Sequence, residues 1–544
     1  MKKIASLFLC LFAVLALQTT ALAAGTYTDV PEGSWAEAPI EKAAEYGLMQ
    51  GVGDGAFGYG QPMRRAEFVT VLVRMFGWDF VTGEDAASDI AHSWANSYIN
   101  AAAAHGVFDP GGEFRPDDLI TRSEMATMLV RALGLKPFAE ANAEIELPFT
   151  DVGESRGYVS VAYDVGMTTG IDAVTFAPND TALREQAATM LVRVYEKCNG
   201  PTAWKHAFYA ISSYSQIGLA KNFDAVSVGW SQMSYTKETG AQLQMDRSDG
   251  DFYLPASYDQ VVRELDAAGV SVNLNVFMAG TPLADMLADE AARSQAVTRI
   301  VNEMERRYPA LGYNPYDGVT IDFEGLRAQS SGDFVAFLTE LSEKLAPLDK
   351  SLYVAVMPPV GGEVYYDGYD FAAIGALADK VILMAHDYSP LDLTGFVPSS
   401  YHKNMALTPI SKVYDSVRIA AKAMEDPSKL VLQLSMDATA WWVDADGMLQ
   451  KPQPTRPVAS TIYRRLLQSE SVMGWSDTFR NPYLTYMTED GQHIFLWYED
   501  ARSVGQKLGV AKLLGVANVS VWRLGLIPDY DGVGLYYNVM ETLQ

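Results

Sequence analysis

Two carboxylic acids stand two residues apart in the middle of the chain, at Asp322 and Glu324. They end the segment YDGVTIDFE, whose alternation of polar and apolar residues predicts a β-strand. Successive side chains of a strand point to opposite faces, so Thr320 and both acids share one face. Two carboxyl groups on one buried face cannot both ionise cheaply, so one proton is retained. General acid catalysis requires such a proton, and the pair is predicted to be catalytic.

Short strand-like runs alternate with amphipathic stretches from residue 203 onward, and they must position these acids. The runs cover residues 207–212, 225–230, 271–277, 318–324, 352–357, 380–385, 430–436 and 518–523. Eight such runs predict an α/β fold, a closed (β/α)8 or TIM barrel, in which catalytic groups lie at the C-terminal strand ends. The fourth run places Glu324 there. An open doubly wound sheet is the alternative fold.

A structural carboxylate pair, held by an arginine or a metal ion, is the alternative interpretation of the two acids. No His or Cys stands near them in sequence to complete a typical metal site, so we expect no metal there. Residues 437–500, between the seventh and eighth runs, are too many for a simple connection, and they predict an extra wall of the cleft.

The segment from Asp317 to Glu324 resembles the signature of glycoside hydrolase family 18, Asp-Gly-x-Asp-x-Asp-x-Glu, with Thr320 in the place of the middle Asp. The sixth run ends in Met384-Ala-His386-Asp387-Tyr388, where the family carries Met-x-Tyr-Asp, and the eighth ends in Trp522, where it also carries a Trp. The C-terminal string WYEDARSVGQKLGVAKLLGVANVSVWRLG looks like the spore-cortex-lytic N-acetylglucosaminidase branch of that family. The resemblance covers about residues 205–544.

What this resemblance implies is retaining cleavage of a β-1,4-linked N-acetylglucosamine glycan, of the peptidoglycan or chitin type, without a protein nucleophile. Glu324 would protonate the glycosidic oxygen, and Asp322 would orient the acetamido group that attacks the anomeric carbon. No cofactor would be required. The implied substrate-binding residues are Asp317, Met384, His386, Asp387, Tyr388 and Trp522. His386 stands in the place of a tyrosine, and either its imidazole or Tyr388 would supply the missing hydroxyl's hydrogen bond; the alternative is a core histidine bonded to the backbone. A barrel that only binds glycan, or a purely structural surface-layer protein, is the alternative function.

One pattern occurs three times before the barrel, in residues 25–80, 84–136 and 146–199. Each copy reads as helix, glycine-containing loop, helix, and the second helices begin at RRAE, TRSE and LREQ. The strings resemble the S-layer homology repeat, which binds anionic secondary cell-wall polysaccharide. By that resemblance the wall-binding residues are Trp35, Arg65, Trp94, Arg122 and Arg184. The third copy departs from the pattern at Arg156-Gly157 and at Gln186, and the alternative is that the arginines only pair with Glu or cap helices.

The first 24 residues read as a secretory signal peptide, with Lys2 and Lys3, an apolar run and small residues near Ala23. We therefore expect a secreted protein at a bacterial cell surface, with no membrane anchor after cleavage. Cys198 would be the one remaining cysteine, which excludes an internal disulfide. The formal net charge of −26 argues against nucleic acid and anionic membranes as partners, because both are bound through Lys and Arg.

Overall fold

A computed structural model describes residues 27–142, 145–246, 250, 252–360, 367–386, 388 and 391–543. The predicted signal peptide, residues 1–24, lies outside the described residues, as does Asp387. Two units divide the chain, one ending at Gly200 and one beginning at Pro201. Within the described ranges no helix has the length and apolarity needed to cross a bilayer.

The first unit is helical, as predicted. Its helices are α1 (Glu37–Glu45), α2 (Arg65–Phe76), α3 (Asn96–Ala104), α4 (Arg122–Ala132), α5 (Lys136–Ala141), α6 (Arg156–Asp164) and α7 (Arg184–Asn199). The three repeats close on one another through a ring of backbone hydrogen bonds just before α2, α4 and α7. Met63 N donates to Ala182 O at 3.0 Å, Ala182 N to Ile120 O at 2.9 Å, and Ile120 N to Met63 O at 2.9 Å.

The second unit contains a closed barrel of eight parallel strands within the described residues, which confirms the predicted fold class. Its strands are β1 (Trp204–Tyr209), β2 (Ala225–Thr236), β4 (Ser271–Ala279), β5 (Gly318–Glu324), β6 (Ser351–Val356), β7 (Lys380–Met384), β8 (Leu430–Ser435) and β13 (Asn518–Trp522). Their order is β1-β13-β8-β7-β6-β5-β4-β2, and pairing of β1 with β2 closes the barrel. Strand β2 runs beyond the barrel and pairs antiparallel with β3 (Gly240–Gln244).

Helices cover the outside of the barrel because apolar residues recur on one face of each. They are α8 (Tyr258–Ala268), α9 (Thr281–Ala288), α10 (Glu290–Glu305), α11 (Ser331–Leu345), α12 (Phe371–Leu377), α13 (Ile410–Ala423) and α15 (Ala501–Leu513). Phe323 of β5, for example, packs against Phe334 and Phe337 of α11, with ring centroids 6.0 and 5.2 Å apart. The odd-numbered residues of β5 therefore face the helices, which leaves the even-numbered ones for the interior.

The long insertion before the last strand folds as an antiparallel sheet with one helix. The sheet has the order β10 (Val472–Ser476), β11 (Asn481–Met487), β12 (His493–Trp497), β9 (Thr439–Val443), and the helix is α14 (Ala459–Leu466). Trp441 and Trp497 are buried in one core of this sheet, so these two rings serve packing, as large aromatic rings commonly do.

Candidate active site

The inward face of β5 brings Thr320, Asp322 and Glu324 to the barrel interior, as the alternation of the sequence predicts. Thr320 and Asp322 are buried, whereas Glu324 is half-buried at the C-terminal end of the strand. Two residues of a parallel strand span roughly 6.6 Å, so the two acids stand one above the other along the barrel axis. This arrangement gives one carboxyl group in the interior and one at the mouth.

Asp322 is buried, and its two carboxylate oxygens differ in their hydrogen bonds. Its Oδ2 accepts a hydrogen bond from Asn275 Nδ2 at 3.1 Å. Its Oδ1 is buried and has no partner among the described residues. Burial raises the pKa of Asp322 from 3.8 to about 6, against the lowering effects of the Asn275 hydrogen bond and the charge of His386. The side chain therefore changes protonation near neutral pH, and one of its buried oxygens has no hydrogen-bond donor among the described residues.

A belt of polar side chains runs around the interior below Asp322. The belt consists, in spatial order, of Thr320, Ser227, His206, Ser520, Gln433 and His386. The consecutive distances are 2.6 Å, 2.8 Å, 2.8 Å, 3.4 Å and 2.9 Å. Strand β6 separates the two ends, since it lies between β5 and β7 in the barrel. The belt thus connects the residue below Asp322 on β5 with the histidine beyond β7 whose charge acts on Asp322.

His386 is buried, and its Nε2 lies 2.9 Å from Gln433 Oε1. This nitrogen therefore bonds to a side chain. Met384, two residues earlier, is also buried. Trp522 is half-buried at the end of β13, with its ring 5.3 Å from that of Phe208.

Two residues that the family resemblance implied as substrate-binding lie elsewhere. Asp317 precedes β5, and its Oδ2 accepts from Val272 N at 2.8 Å, so it secures the opposite end of the barrel from Glu324. The Tyr388 hydroxyl donates to Ser416 of α13 at 3.1 Å, and its ring packs beside Lys412 of the same helix. Neither residue is therefore placed to bind substrate. The motif spans the whole strand, so its first residue, Asp317, lies at the end away from Glu324, and the Tyr388 side chain faces the helix layer. Tyr388 therefore does not replace the missing tyrosine.

One residue near the acids was missed by the sequence analysis. Phe277 shares the inward face of β4 with Asn275 and is the register partner of Asp322. Its half-buried ring stacks on Phe252, with centroids 4.5 Å apart and planes 9° apart. The Phe252 ring in turn lies over Gly229 of β2, where an added Cβ would be 3.4 Å from it. The sequence signal for this placement is the position of Phe277 in the run NLNVFMAG, two residues after Asn275, because residues two apart in a strand share one face.

The three predicted arginines of the repeats occupy equivalent places. Each begins a second helix, is nearly buried, and reaches the next repeat around the ring, where its Nε donates to a phenylalanine carbonyl. The distances are 2.7 Å from Arg65 to Phe114, 2.8 Å from Arg122 to Phe176 and 3.0 Å from Arg184 to Phe57. Each guanidinium also lies over the ring of that phenylalanine, about 5 Å from its centroid. These contacts hold the repeats together.

The arginines differ in their carboxylate partners. Arg65 Nη1 pairs with Glu124 at 2.5 Å, as the alternative interpretation expected. The residue equivalent to Glu124 in the third repeat is Gln186, and in the described part of the chain Arg122 has no ion pair. Arg184 donates to Gln50 O at 2.9 Å. Of the three, only Arg65 forms an ion pair within the described residues, so an external carboxylate can meet Arg122 or Arg184 without displacing an internal one.

A cavity of about 270 Å³ lies beside Arg184. Trp94 of the second repeat and Glu67 and Arg74 of the first are among its lining residues. Trp94 is 62% exposed and Trp35 is 59% exposed. Large apolar rings this accessible are free to pack against a ligand, and the structure thus brings Trp94 together with one predicted arginine.

Comparisons with known proteins agree with this architecture. The sequence model of Glycosyl hydrolases family 18 matches residues 215–526, and that of the S-layer homology domain matches residues 26–69, 88–126 and 148–188. The chain is 24% identical over 237 residues to the putative sporulation-specific glycosylase YdhD of Bacillus subtilis (strain 168), covering 42% of this chain and 51% of the relative. It is 24% identical over 244 residues to the cortical fragment-lytic enzyme of the same organism, covering 44% and 52%.

The chain thus spans about half the length of the curated relatives it matches. Among solved structures, the C-terminal domain of a putative chitinase from Desulfitobacterium hafniense DCB-2 superposes with a TM-score of 0.50 at 21% identity. That superposition covers 64% of this chain and 100% of that chain, and it supports the barrel fold.

Proposed function

Because the chain belongs to Glycosyl hydrolases family 18, we propose that it hydrolyses a β-1,4-linked, N-acetylglucosamine-containing glycan of the peptidoglycan or chitin type. The observation that carries the proposal is the buried Oδ1 of Asp322, which has no hydrogen-bond partner among the described residues and stands two residues before Glu324 on the same face. The cortical fragment-lytic relative supports peptidoglycan as the first substrate to test.

The placement of the acids favours a substrate-assisted reaction. A retaining enzyme with a protein nucleophile needs carboxyl groups on both sides of the scissile bond. Asp322 and Glu324 stand on one strand and approach a sugar from one side. The acetamido oxygen of the substrate then forms the bond to the anomeric carbon while Glu324 gives its proton to the leaving oxygen. Water later attacks the same carbon, returns a proton to Glu324 and restores the acetamido group.

Asp322 serves this reaction as an acceptor. The acetamido N–H gains positive character as its oxygen attacks, so a carboxylate at hydrogen-bond distance stabilises the cyclic intermediate. Asn275 occupies one Asp322 oxygen, and the other is available for that N–H. Because the pKa of Asp322 is about 6, the carboxyl group can become ionised near neutral pH when the acetamido group gains positive character.

The experiment compares wild type with Glu324→Gln on purified peptidoglycan and on chitooligosaccharides, with new reducing ends as the readout. Removal of a general acid is expected to lower the rate by about 10²–10⁴-fold. Glu343→Gln, an exposed position on α11, is the matched control and should retain full activity. Equal rates for Glu324→Gln and wild type would reject the mechanism. If neither protein releases new reducing ends but both still bind the glycan, the alternative of a glycan-binding protein would be established.

We also infer that the repeats attach the protein to anionic secondary cell-wall polysaccharide at the cell surface, after export by the predicted signal peptide. The support is Arg122, whose fork of donors suits a carboxylate and has no internal one to satisfy it among the described residues. Full-length Glu324→Gln protein is expected to sediment with cell-wall sacculi and to stay in solution when the acidic polysaccharide has been stripped from them. Gln186→Glu should weaken sedimentation by supplying Arg122 with an internal partner. Unchanged sedimentation on stripped walls would reject this ligand.

A further inference from the structure

A cavity of about 780 Å³ lies on the sheet of the insertion. This volume falls within the range of about 300–1,000 Å³ that is usual for small-ligand sites. The described lining residues come from the insertion and from His402 and Lys403 ahead of α13, and none of them belongs to a barrel strand. The cavity is therefore distinct from the site that contains Asp322 and Glu324.

One face of the sheet forms the floor of this cavity. Tyr483, Thr485 and Met487 of β11 are spaced two residues apart, so they share that face, and all three line the cavity. Val472 of β10 is the register partner of Thr485 and lines the cavity as well. Met473, the next residue, points to the opposite face and is not among the described lining residues.

Tyr483 provides an aromatic platform in the floor. Its ring lies across its register partner Gly474, where an added Cβ would overlap the ring. The Gly474 backbone is outside the left-handed region that calls for glycine, so the missing side chain serves to seat the ring. The Tyr483 ring also stacks on Phe495, with centroids 5.2 Å apart and planes 17° apart. Because these contacts hold the half-buried ring, its position is set before a ligand binds.

The charges around the platform favour an uncharged ligand that has many hydrogen-bond donors. Lys403 supplies one positive charge, whereas Asp444, Asp446 and Glu470 supply three negative ones. This excess of negative charge repels polyanions. Carboxylates accept hydrogen bonds, and the Thr485 hydroxyl both donates and accepts. A neutral glycan offers O–H and N–H donors together with C–H faces that can pack on an aromatic ring.

We propose that this cavity is a second glycan-binding site, which takes an uncharged chain of β-1,4-linked N-acetylglucosamine. The choice of glycan rests on the proposed function, in which the barrel cleaves such a chain. A polymer held at this second site would have a higher effective concentration at the active site of the same molecule.

Methyl spectra of the methionines read this site directly. Met487 is 52% exposed on the floor of the cavity, and Met473 is 49% exposed on the opposite face of the same sheet. The Glu324→Gln protein is labelled with ¹³C-methyl methionine, and the two signals are assigned from Met487→Leu and Met473→Leu spectra. Chitohexaose should shift the Met487 signal in a saturable titration and leave the Met473 signal unchanged. An oligogalacturonate of the same length, which is a polyanion, should shift neither signal.

Two variants test the platform and the space above it. Tyr483→Leu should weaken the chitohexaose titration at Met487 by roughly twofold to tenfold, the contribution of one aromatic contact. The other methionine signals show whether that variant is folded. Val472→Arg changes a residue that is 62% exposed, so it leaves the packing of the sheet intact, and its long side chain should weaken the titration by crowding the cavity.

The proposal would be overturned by any of three results. They are a Met487 signal that does not respond to chitohexaose or responds no more than Met473, an equal response to the polyanion, and an unchanged titration in the two variants. The spectra need no turnover, so a wild type that releases no reducing ends while Met487 titrates would refute the proposed function and leave this site standing. A wild type that cleaves glycan while Met487 does not respond would refute this site alone.

Discussion

Replacing Asp322 by Asn should make the barrel unit more stable and abolish its activity. The pKa of Asp322 is raised by burial from 3.8 to about 6. At about 1.4 kcal/mol per pKa unit, this difference means that the ionised carboxylate costs the folded state about 3 kcal/mol. Asn can still accept the hydrogen bond from Asn275, and it carries no charge to bury.

The sign of the pH dependence follows from the raised pKa. As pH rises from about 4 to about 6, the unfolded chain releases its proton before the folded one, and folding stability falls across that window. Below pH 4 both states hold the proton, and Asp322→Asn should then be neutral. Above pH 7 the variant should gain the full amount of about 3 kcal/mol.

Urea unfolding followed by tryptophan fluorescence at pH 4 and at pH 8 measures this gain. The exposed Asp285→Asn on α9 is the matched control, and its stability should track wild type at both pH values. The idea that burial of ionised Asp322 destabilises the folded protein would be refuted by either of two results. One is an equal change in the free energy of unfolding of Asp322→Asn at the two pH values, and the other is no gain at pH 8.

Two further perturbations test other parts of the second unit. Phe277→Ala should weaken binding of chitotetraose to Glu324→Gln protein by roughly twofold to tenfold, since an aromatic contact contributes about 0.5–1.5 kcal/mol. Titration calorimetry measures this affinity. An unchanged affinity would show that Phe277 does not contact the sugar. Lys507→Met should destabilise the unit by about 3–5 kcal/mol, because it leaves Glu499 buried without the ammonium group 2.7 Å away. Adding Glu499→Gln should recover most of that loss in the same urea assay, and a double variant as unstable as the single one would contradict the charge argument.

The sequence predicted the barrel well because its signals are local. The amphipathic period of 258–268 coincides with α8, which ends at Gly269 in the left-handed conformation that glycine adopts at low cost. The fourth strand was predicted with its bounds at residues 318–324, since a buried strand between polar neighbours has few alternative interpretations. The first strand instead ends at Tyr209, three residues before the predicted end, because Ser213 Oγ accepts from Ala210 N and starts a 3₁₀ turn.

The site was predictable only as far as one strand's alternation reaches. The alternation of side chains along the strand predicted that Asp322 and Glu324 share one face. No spacing in the sequence predicts the hydrogen bonds between Ser227 and Thr320 or between Gln433 and His386. Those contacts join strands that are far apart in the chain, and the closure of the barrel creates them. The errors at Asp317 and Tyr388 arise because a motif gives residue types without saying which end of a strand a residue occupies or whether its side chain faces the interior or the helices.

The ring of hydrogen bonds among the repeats sets the order in which the first unit can be assembled. Met63 N of the first repeat donates to Ala182 O of the third, and Arg184 of the third repeat donates to Phe57 O of the first. The first repeat therefore makes these hydrogen bonds only after the third has been synthesised. Such contacts between distant parts of the chain form slowly, because a long loop must close before they add stability. In a chain that emerges N-terminus first, the ring of hydrogen bonds therefore stays incomplete until the third repeat has formed, and truncation within that repeat would remove contacts from all three.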